Sequence, residues 1–251
     1  VAEHRAVRII AWNIRAGGGR RAAALARQLV RWRPDVVALS EFRATPPSRA
    51  LAAVLAEDGL VHQLTTAHRR RRAANALLVA ARWPLRAVRL PGAPRERDRW
   101  LMAGVDAPLP VTVGAMHVPN RVSGRKYPYL AAVLRCARRW TAGPALFVGD
   151  TNSGRRHLDE ETPVFNARED GWLAHLAACG WVDAFRHLRP DARAYTWYSP
   201  SGGNGFRIDQ AFLNASLLAH LKNAAYAWGR GGPSRRRDAL SDHAALIVDL
   251  E

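Results

Sequence analysis

Asp150 and Asn152 stand directly after the apolar run Ala145-Leu-Phe-Val-Gly149. That placement reads as a buried strand delivering two polar side chains at its C-terminal end, although a strand entering an Asx-type turn has the same pattern. Five further apolar runs end in the same way, at Trp12-Asn13, Ser40-Glu41, Met116-His117, Arg207-Ile208-Asp209 and Ser241-Asp242-His243. A carboxylate such as Glu41 suits a hard divalent cation, which takes oxygen ligands and keeps several waters, and Asp242 offers a second ligand. Such an ion stabilises charge at phosphorus and on a leaving oxygen. Next to a buried carboxylate, the His243 imidazole has its tautomer and basicity set by that partner. Asn13, Asn152 and His117 can bind phosphate oxygens without adding negative charge, and Asp150 can orient or deprotonate a water. No Cys or Ser lies in a nucleophile setting, so direct attack by water is expected. Singly, a Ser-Asp-His triplet or a strand-end Glu is more often structural; the combination in this order carries the reading.

The elements that must position these groups follow from apolar periodicity. Strands are expected at residues 8–14, 35–41, 75–80, 100–106, 111–117, 145–149, 195–198, 206–213 and 245–250. Helices are expected at residues 20–32, stopped by Pro34, and at 48–57, 126–140 and 172–179, the last with Gly180 after its C-terminus. Asn214 is expected to cap a short helix running to Leu221, and a polar loop to extend from the strand at 145–149 to about residue 168. Strands outnumber helices, and several pair without a helix between them. That pattern predicts an α/β (α+β) fold of two mixed sheets packed face to face and flanked by helices. No internal repeat or low-complexity linker interrupts residues 1–251, which predicts one domain.

Composition adds a strong charge bias. The chain has 251 residues, of which 38 are Lys or Arg and 21 are Asp or Glu, for a formal net charge of +17. All but Lys126 and Lys222 of the basic residues are arginine. Arg forks match phosphate geometry, so a polyanion partner is the first inference; a genome that favours Arg and Ala codons gives the same excess. The clusters Arg69-Arg-Arg-Arg72 and Arg235-Arg-Arg237 are the candidate phosphate contacts, set against the reading that such clusters are solvated loops. Arg95-Glu-Arg-Asp-Arg99 alternates in sign and is expected to pair with itself. The Gly17-Gly-Gly19 loop could cradle phosphate through its amides, though a glycine triplet is more often a turn. Cys136 and Cys179 do not make a disulfide framework and are expected as buried free thiols. No run of about 18 apolar residues predicts a membrane span. No N-terminal signal pattern is visible, which favours the cytoplasm, while a start at Val1 rather than Met leaves room for a removed leader.

The chain resembles the endonuclease/exonuclease/phosphatase superfamily, the fold of deoxyribonuclease I and exonuclease III. Trp-Asn-Ile, Ser-Glu, His-Val-Pro-Asn, Gly-Asp-Thr-Asn, Arg-Ile-Asp and Ser-Asp-His occur in family order over essentially the whole chain. The resemblance implies a four-layer α/β sandwich and a Mg²⁺-dependent phosphoesterase, and Mn²⁺ suits the same carboxylates. It implies that Glu41 binds the metal with Asn13 and Asp242 close by. His243, paired with Asp209, contacts the scissile phosphate as acid or base, Asp150 and Asn152 position water and phosphate, and His117 supports the phosphate or leaving group. Asn13-Ile-Arg15 is similar to the deoxyribonuclease I pattern, whereas Tyr195-Thr-Trp197 with Gly205-Phe-Arg-Ile-Asp209 resembles the abasic-site enzymes. By that likeness Trp197, Phe206 and Ile208, with Arg207 beside them, form a substrate pocket; the alternative is ordinary sheet-packing aromatics.

Three functions follow as expectations. The first is a monomeric, metal-dependent hydrolase of DNA phosphodiesters, acting at abasic sites or 3′ ends and belonging to DNA repair. The second is a phosphatase or phosphodiesterase on a small molecule or lipid headgroup, since fold does not fix substrate. The third is a non-catalytic nucleic-acid-binding protein, against which the intact residue set argues.

Overall fold

The structure, a computed structural model, describes residues 6–229 and 239–251. Two six-stranded mixed sheets face one another. The first contains β1 (Val7–Asn13), β2 (Val36–Phe42), β3 (His62–Thr65), β4 (Ala76–Ala81), β13 (Leu221–Ala227) and β14 (Ala245–Leu250), in the order β13-β14-β1-β2-β4-β3. The second contains β5 (Leu85–Val88), β6 (Trp100–Val105), β7 (Val111–His117), β8 (Ala145–Asp150), β9 (Trp181–Asp183) and β12 (Asp209–Asn214), in the order β5-β6-β7-β8-β12-β9. A small hairpin pairs β10 (Trp197–Tyr198) with β11 (Gly205–Phe206).

Side chains alternate across a strand, so each central strand needs apolar residues on both faces. β1 shows the consequence: Val7, Ile9 and Ala11 enter the core between the sheets, whereas Ile10 and Trp12 face outward. The outer face of the first sheet is covered by α1 (Ala22–Arg31) and α2 (Pro46–Glu57), through Leu25, Leu29, Leu51 and Leu55. The outer face of the second is covered by α3 (Lys126–Arg139) and α4 (Ala167–Ala178), through Tyr129, Val133, Trp172 and Leu176. The short helices α5 (Ala184–Leu188) and α6 (Ala215–Leu218) complete the set. The result is the expected four-layer sandwich.

The strand pairings gather the motif residues at one end. β1 and β2 are parallel and set Asn13 beside Ser40. β7 and β8 are parallel and set His117 beside Asp150. β12 runs antiparallel to β8, so its first residue, Asp209, pairs with the last residue of β8, Asp150. β14 is antiparallel to β1, so the segment before it arrives where β1 ends.

Several boundaries differ from expectation. The segment 206–213 is broken at Arg207 and Ile208 into β11 and β12. The helix capped by Asn214 stops at Leu218, and Leu221 already begins β13, a strand whose mixed polarity hid its period. The polar loop after β8 ends earlier, because Asn166 and Glu169 close a capping box that starts α4 at Ala167. Cys136 is buried as expected, while Cys179 is half-buried. Among the described residues no helix is long and apolar enough to cross a membrane. Arg235, Arg236 and Arg237 lie outside the described residues.

Candidate active site

The strand ends open on a cleft of about 350 Å³, lined in part by Glu41, His117, Asp150, Asn152, Asp242 and His243. Beneath these groups and outside the cleft lining, Asn13, 1% exposed, acts as a hub. Its Nδ2 donates to Asp150 Oδ2 at 3.1 Å and lies 3.5 Å from both Glu41 Oε1 and His243 Nε2. Its Oδ1 is occupied by the Arg15 amide at 3.0 Å, which fixes the side-chain orientation.

Local backbone geometry aims the ligands. β2 carries a bulge between Ser40 and Phe42, and Glu41 there adopts φ 57. A bulge re-aims one side chain out of the pleat, and left-handed geometry is uncommon for a non-glycine residue. The Ala16 amide donates to Glu41 Oε2 at 2.7 Å and holds the carboxylate in place. On β8, a Cβ at Gly149 would collide with the Met116 carbonyl, so only glycine permits the close approach of β7 and β8 ahead of Asp150. Asn152 follows at φ 46, with its amide donating to Asp150 Oδ1 at 2.9 Å and its Nδ2 donating to the Val118 carbonyl at 2.8 Å.

The acid–base groups are opposed in electrostatics. His243 Nδ1 lies 2.9 Å from Asp209 Oδ2, and its Nε2 faces Asp150 Oδ2 at 3.9 Å. Burial pulls its pKa down, but the Asp209 carboxylate, with Asp150 and Asp242 adding to it, raises it to about 9. His117 is buried as deeply without such a partner: its Nε2 is 3.6 Å from Asp150 and its Nδ1 has no hydrogen-bond partner. Burial therefore lowers its pKa to about 4, against the pull of Asp150. Burial raises the Asp150 carboxyl above the usual range, against the lowering effect of His243 and His117. One imidazole is thus held charged and the other neutral around a single carboxylate.

The donor set fits a hard divalent cation. Glu41 and Asp242 line the same cleft, and Glu41 has no Lys or Arg ion pair among the described residues. Asp242 is only loosely held, 3.7 Å from Arg15. Among the described residues no group of three or more His, Cys, Asp or Glu is placed to hold a metal ion, so Glu41 and Asp242 are two carboxylates the cleft offers to one.

The aromatic residues divide. Trp197 and Ile208 line the cleft, and Trp197 stands 6.3 Å from the His243 ring. Phe206 is not among the lining residues; it backs Trp197 at 5.9 Å and packs on Phe165. Arg207 is a correction. It is 0% exposed, and its guanidinium meets Asp159, Asp183 and the Tyr226 hydroxyl, so it cannot touch a substrate. Its place in the Arg-Ile-Asp triplet suggested a cleft residue, but in the break between β11 and β12 its side chain turns to the buried carboxylates while Ile208 lines the cleft.

Arg69–Arg71 form an exposed 3-10 turn that Arg72 follows, all outside the cleft lining, with Arg71 paired to Asp98. That pair also corrects the self-paired loop expected at 95–99, whose last residue, Arg99, lines the cleft. Asn75, Asn120, Ser123 and Arg125 line it as well. Sequence reasoning missed most of these because they sit in loops without periodicity; Asn120, within His-Val-Pro-Asn, carried the one usable signal. The Gly17 and Gly18 amides donate to the Glu41 and Arg15 carbonyls, so neither serves as a phosphate cradle.

Comparison with known proteins bears on the family and the fold. The chain is 30% identical over 95 residues to an exodeoxyribonuclease of Bacillus subtilis (strain 168), covering 33% of this chain and 38% of that one. It is 28% identical over 124 residues to recombination repair protein 1 of Drosophila melanogaster, covering 41% and 18%. The chain thus spans under half the length of the curated relatives it matches. Similar solved structures include an AP endonuclease from Archaeoglobus fulgidus, with a TM-score of 0.78, 19% identity and coverage of 98% and 99%. Another is a 3′ phosphatase, NExo, from Neisseria bound to product DNA hairpin, with a TM-score of 0.77, 21% identity and coverage of 98% and 99%. At these identities the structural likeness speaks for the fold. The profile of the endonuclease/exonuclease/phosphatase family aligns with residues 10–243, from β1 through His243, and the chain belongs to that family.

Proposed function

We propose that this chain is a divalent-metal-dependent phosphodiesterase that hydrolyses the DNA backbone by direct attack of water, at abasic sites or 3′ ends. The observation that carries the reading is the convergence of Asn13, His117 and His243 on one carboxylate, Asp150, at the floor of a cleft that Glu41 and Asp242 flank. Glu41 and Asp242 would hold Mg²⁺, which when bound supplies charge stabilisation at the phosphate.

The chain's own groups do the rest. Asp150, its carboxyl made more basic by burial, is placed to accept a proton from water. Charged His243 donates hydrogen bonds to a phosphate oxygen through Nε2, since Asp209 occupies Nδ1. Neutral His117 and the Asn152 amide add polar contacts without raising negative charge, and buried Asn13 orients Asp150 from behind. Arg99 and Arg125 at the lining favour a polyanion. Trp197 and Ile208 offer an apolar wall suited to a base-free sugar.

The test is incubation of the purified chain with Mg²⁺ and three labelled DNAs, with a chelator control. The substrates are a plain duplex, a duplex with one abasic site, and a single strand. Cutting confined to the abasic site, and abolished by the chelator, is the expected result. Uniform cutting removes the abasic-site assignment, and failure to cut any of them overturns the proposed function.

A further inference from the structure

Lys126, at the head of α3, has no part in the chemistry above, yet it reaches into the site. It is 2% exposed, and its ammonium donates to the Asn152 carbonyl and to Glu169 Oε1. Glu169 is 0% exposed and serves several partners: Arg121 grips both of its oxygens, with Nε to Oε1 at 2.7 Å, and the Asn166 amide donates to Oε2 at 3.1 Å. A buried ion pair adds little stability over apolar groups of similar volume, so its role is sought in what it holds.

What it holds is the turn after Asp150. Asn152 has φ 46, a left-handed conformation that asparagine tolerates better than most non-glycine residues. Two tethers, to Asp150 Oδ1 and to the Val118 carbonyl, leave the Asn152 carbonyl free, and the Lys126 ammonium takes it. We propose that Lys126 is a positioning residue: clamped by Glu169, it fixes the Asn152 carbonyl and thereby the turn that aims Asp150 and Asn152 into the cleft. Arg121 shares the same carboxylate from the segment that carries cleft-lining Asn120 and Ser123. One buried anion therefore ties the rim of the cleft to the turn at its floor. The assignment rests on the proposed phosphodiesterase reading.

The test is steady-state hydrolysis by Lys126→Met, which keeps length and burial but loses the donor. A displacement of about 1 Å at a reacting group costs roughly 100-fold in rate. The expected result is therefore a kcat about 100-fold lower with KM unchanged and the far-UV spectrum intact. A merely structural lysine would lower the melting temperature and leave kcat of the folded enzyme unchanged, and that result overturns the proposal. If Lys126→Met does not fold, Glu169→Gln carries the test. It keeps the side-chain shape but removes the charge that holds the ammonium, and the same kcat-specific loss is expected; unchanged kcat overturns the proposal. The parent enzyme on the same DNA separates the two readings. No turnover by the parent overturns the function, whereas turnover by the parent and by an unaffected variant overturns the positioning role alone.

Discussion

Asp209 and Asp150 are register partners across β12 and β8, yet their carboxylates serve different groups: Asp209 holds His243 Nδ1 at 2.9 Å, and Asp150 accepts from Asn13 at 3.1 Å. Neutralising each separates their roles. Asp209→Asn removes the charge that keeps His243 protonated, so kcat falls by about 10²–10⁴-fold, and DNA binding weakens because the cleft loses an imidazolium. Asp150→Asn also lowers kcat by about 10²–10⁴-fold, but binding is kept or tightened because a buried negative charge is gone. Equal effects of the two variants on affinity would contradict this division of labour, and filter binding beside single-turnover hydrolysis reads it directly.

The two histidines have opposite consequences for stability against pH. His117 titrates near 4 in the fold against 6.5 unfolded. The unfolded chain therefore binds more protons between those values. Stability from keeping His117 neutral is full above pH 6.5 and is lost as pH falls toward 4, by on the order of 3 kcal/mol. His243, raised to about 9, contributes stability that is full below pH 6.5 and lost as pH rises through 9. Asp150, also raised, opposes the acid loss from His117. Urea midpoints measured between pH 4 and 7 on the parent and on His117→Asn isolate the first effect. The variant should lose less stability on acidification, and parallel curves would reject a buried neutral His117.

Much of this site could be read from the sequence because it is built on strand ends. Asn13, Glu41, His117, Asp150, Asp209 and His243 each close or adjoin an apolar run, and short parallel and antiparallel pairings leave such ends little choice but to meet. The sandwich followed from strands that pair without intervening helices. What could not be read was direction within irregular segments. Arg207 and Ile208 lie between β11 and β12, and nothing in the triplet says which of them turns inward. The loop residues Arg99 and Arg125 carry no period, and the clamp of Lys126 with Glu169 joins residues far apart in the chain.

Arg207 makes a prediction from its corrected role. It is wholly buried among Asp159, Asp183 and Tyr226, and Arg186 shares Asp159. The two arginines hold the Asp159 carboxyl below the usual range, outweighing burial. Removing one member strands a buried charge, which costs about 3–5 kcal/mol. Arg207→Met should therefore lower the urea midpoint markedly while the folded fraction keeps the parent's affinity for DNA. Loss of DNA affinity with unchanged stability would restore Arg207 as a substrate contact.

The arginine turn before β4 behaves differently, because charge there is exposed. Each phosphate contact contributes a slope of about 0.9 to the dependence of log affinity on log salt concentration. Arg70 has no ion-pair partner among the described residues, whereas Arg71 is held by Asp98, next to the cleft-lining Arg99. Arg70→Ala should then weaken binding and reduce the salt slope by close to the full contribution of one contact. Arg71→Ala should reduce it by less, since its charge is already partly neutralised, and neither should shift the urea midpoint. A slope unaltered by Arg70→Ala would return the whole cluster to solvent. In that case the cleft arginines, Arg99 and Arg125, would carry the backbone contacts alone, and the excess of arginine elsewhere would reflect codon usage rather than a track for DNA.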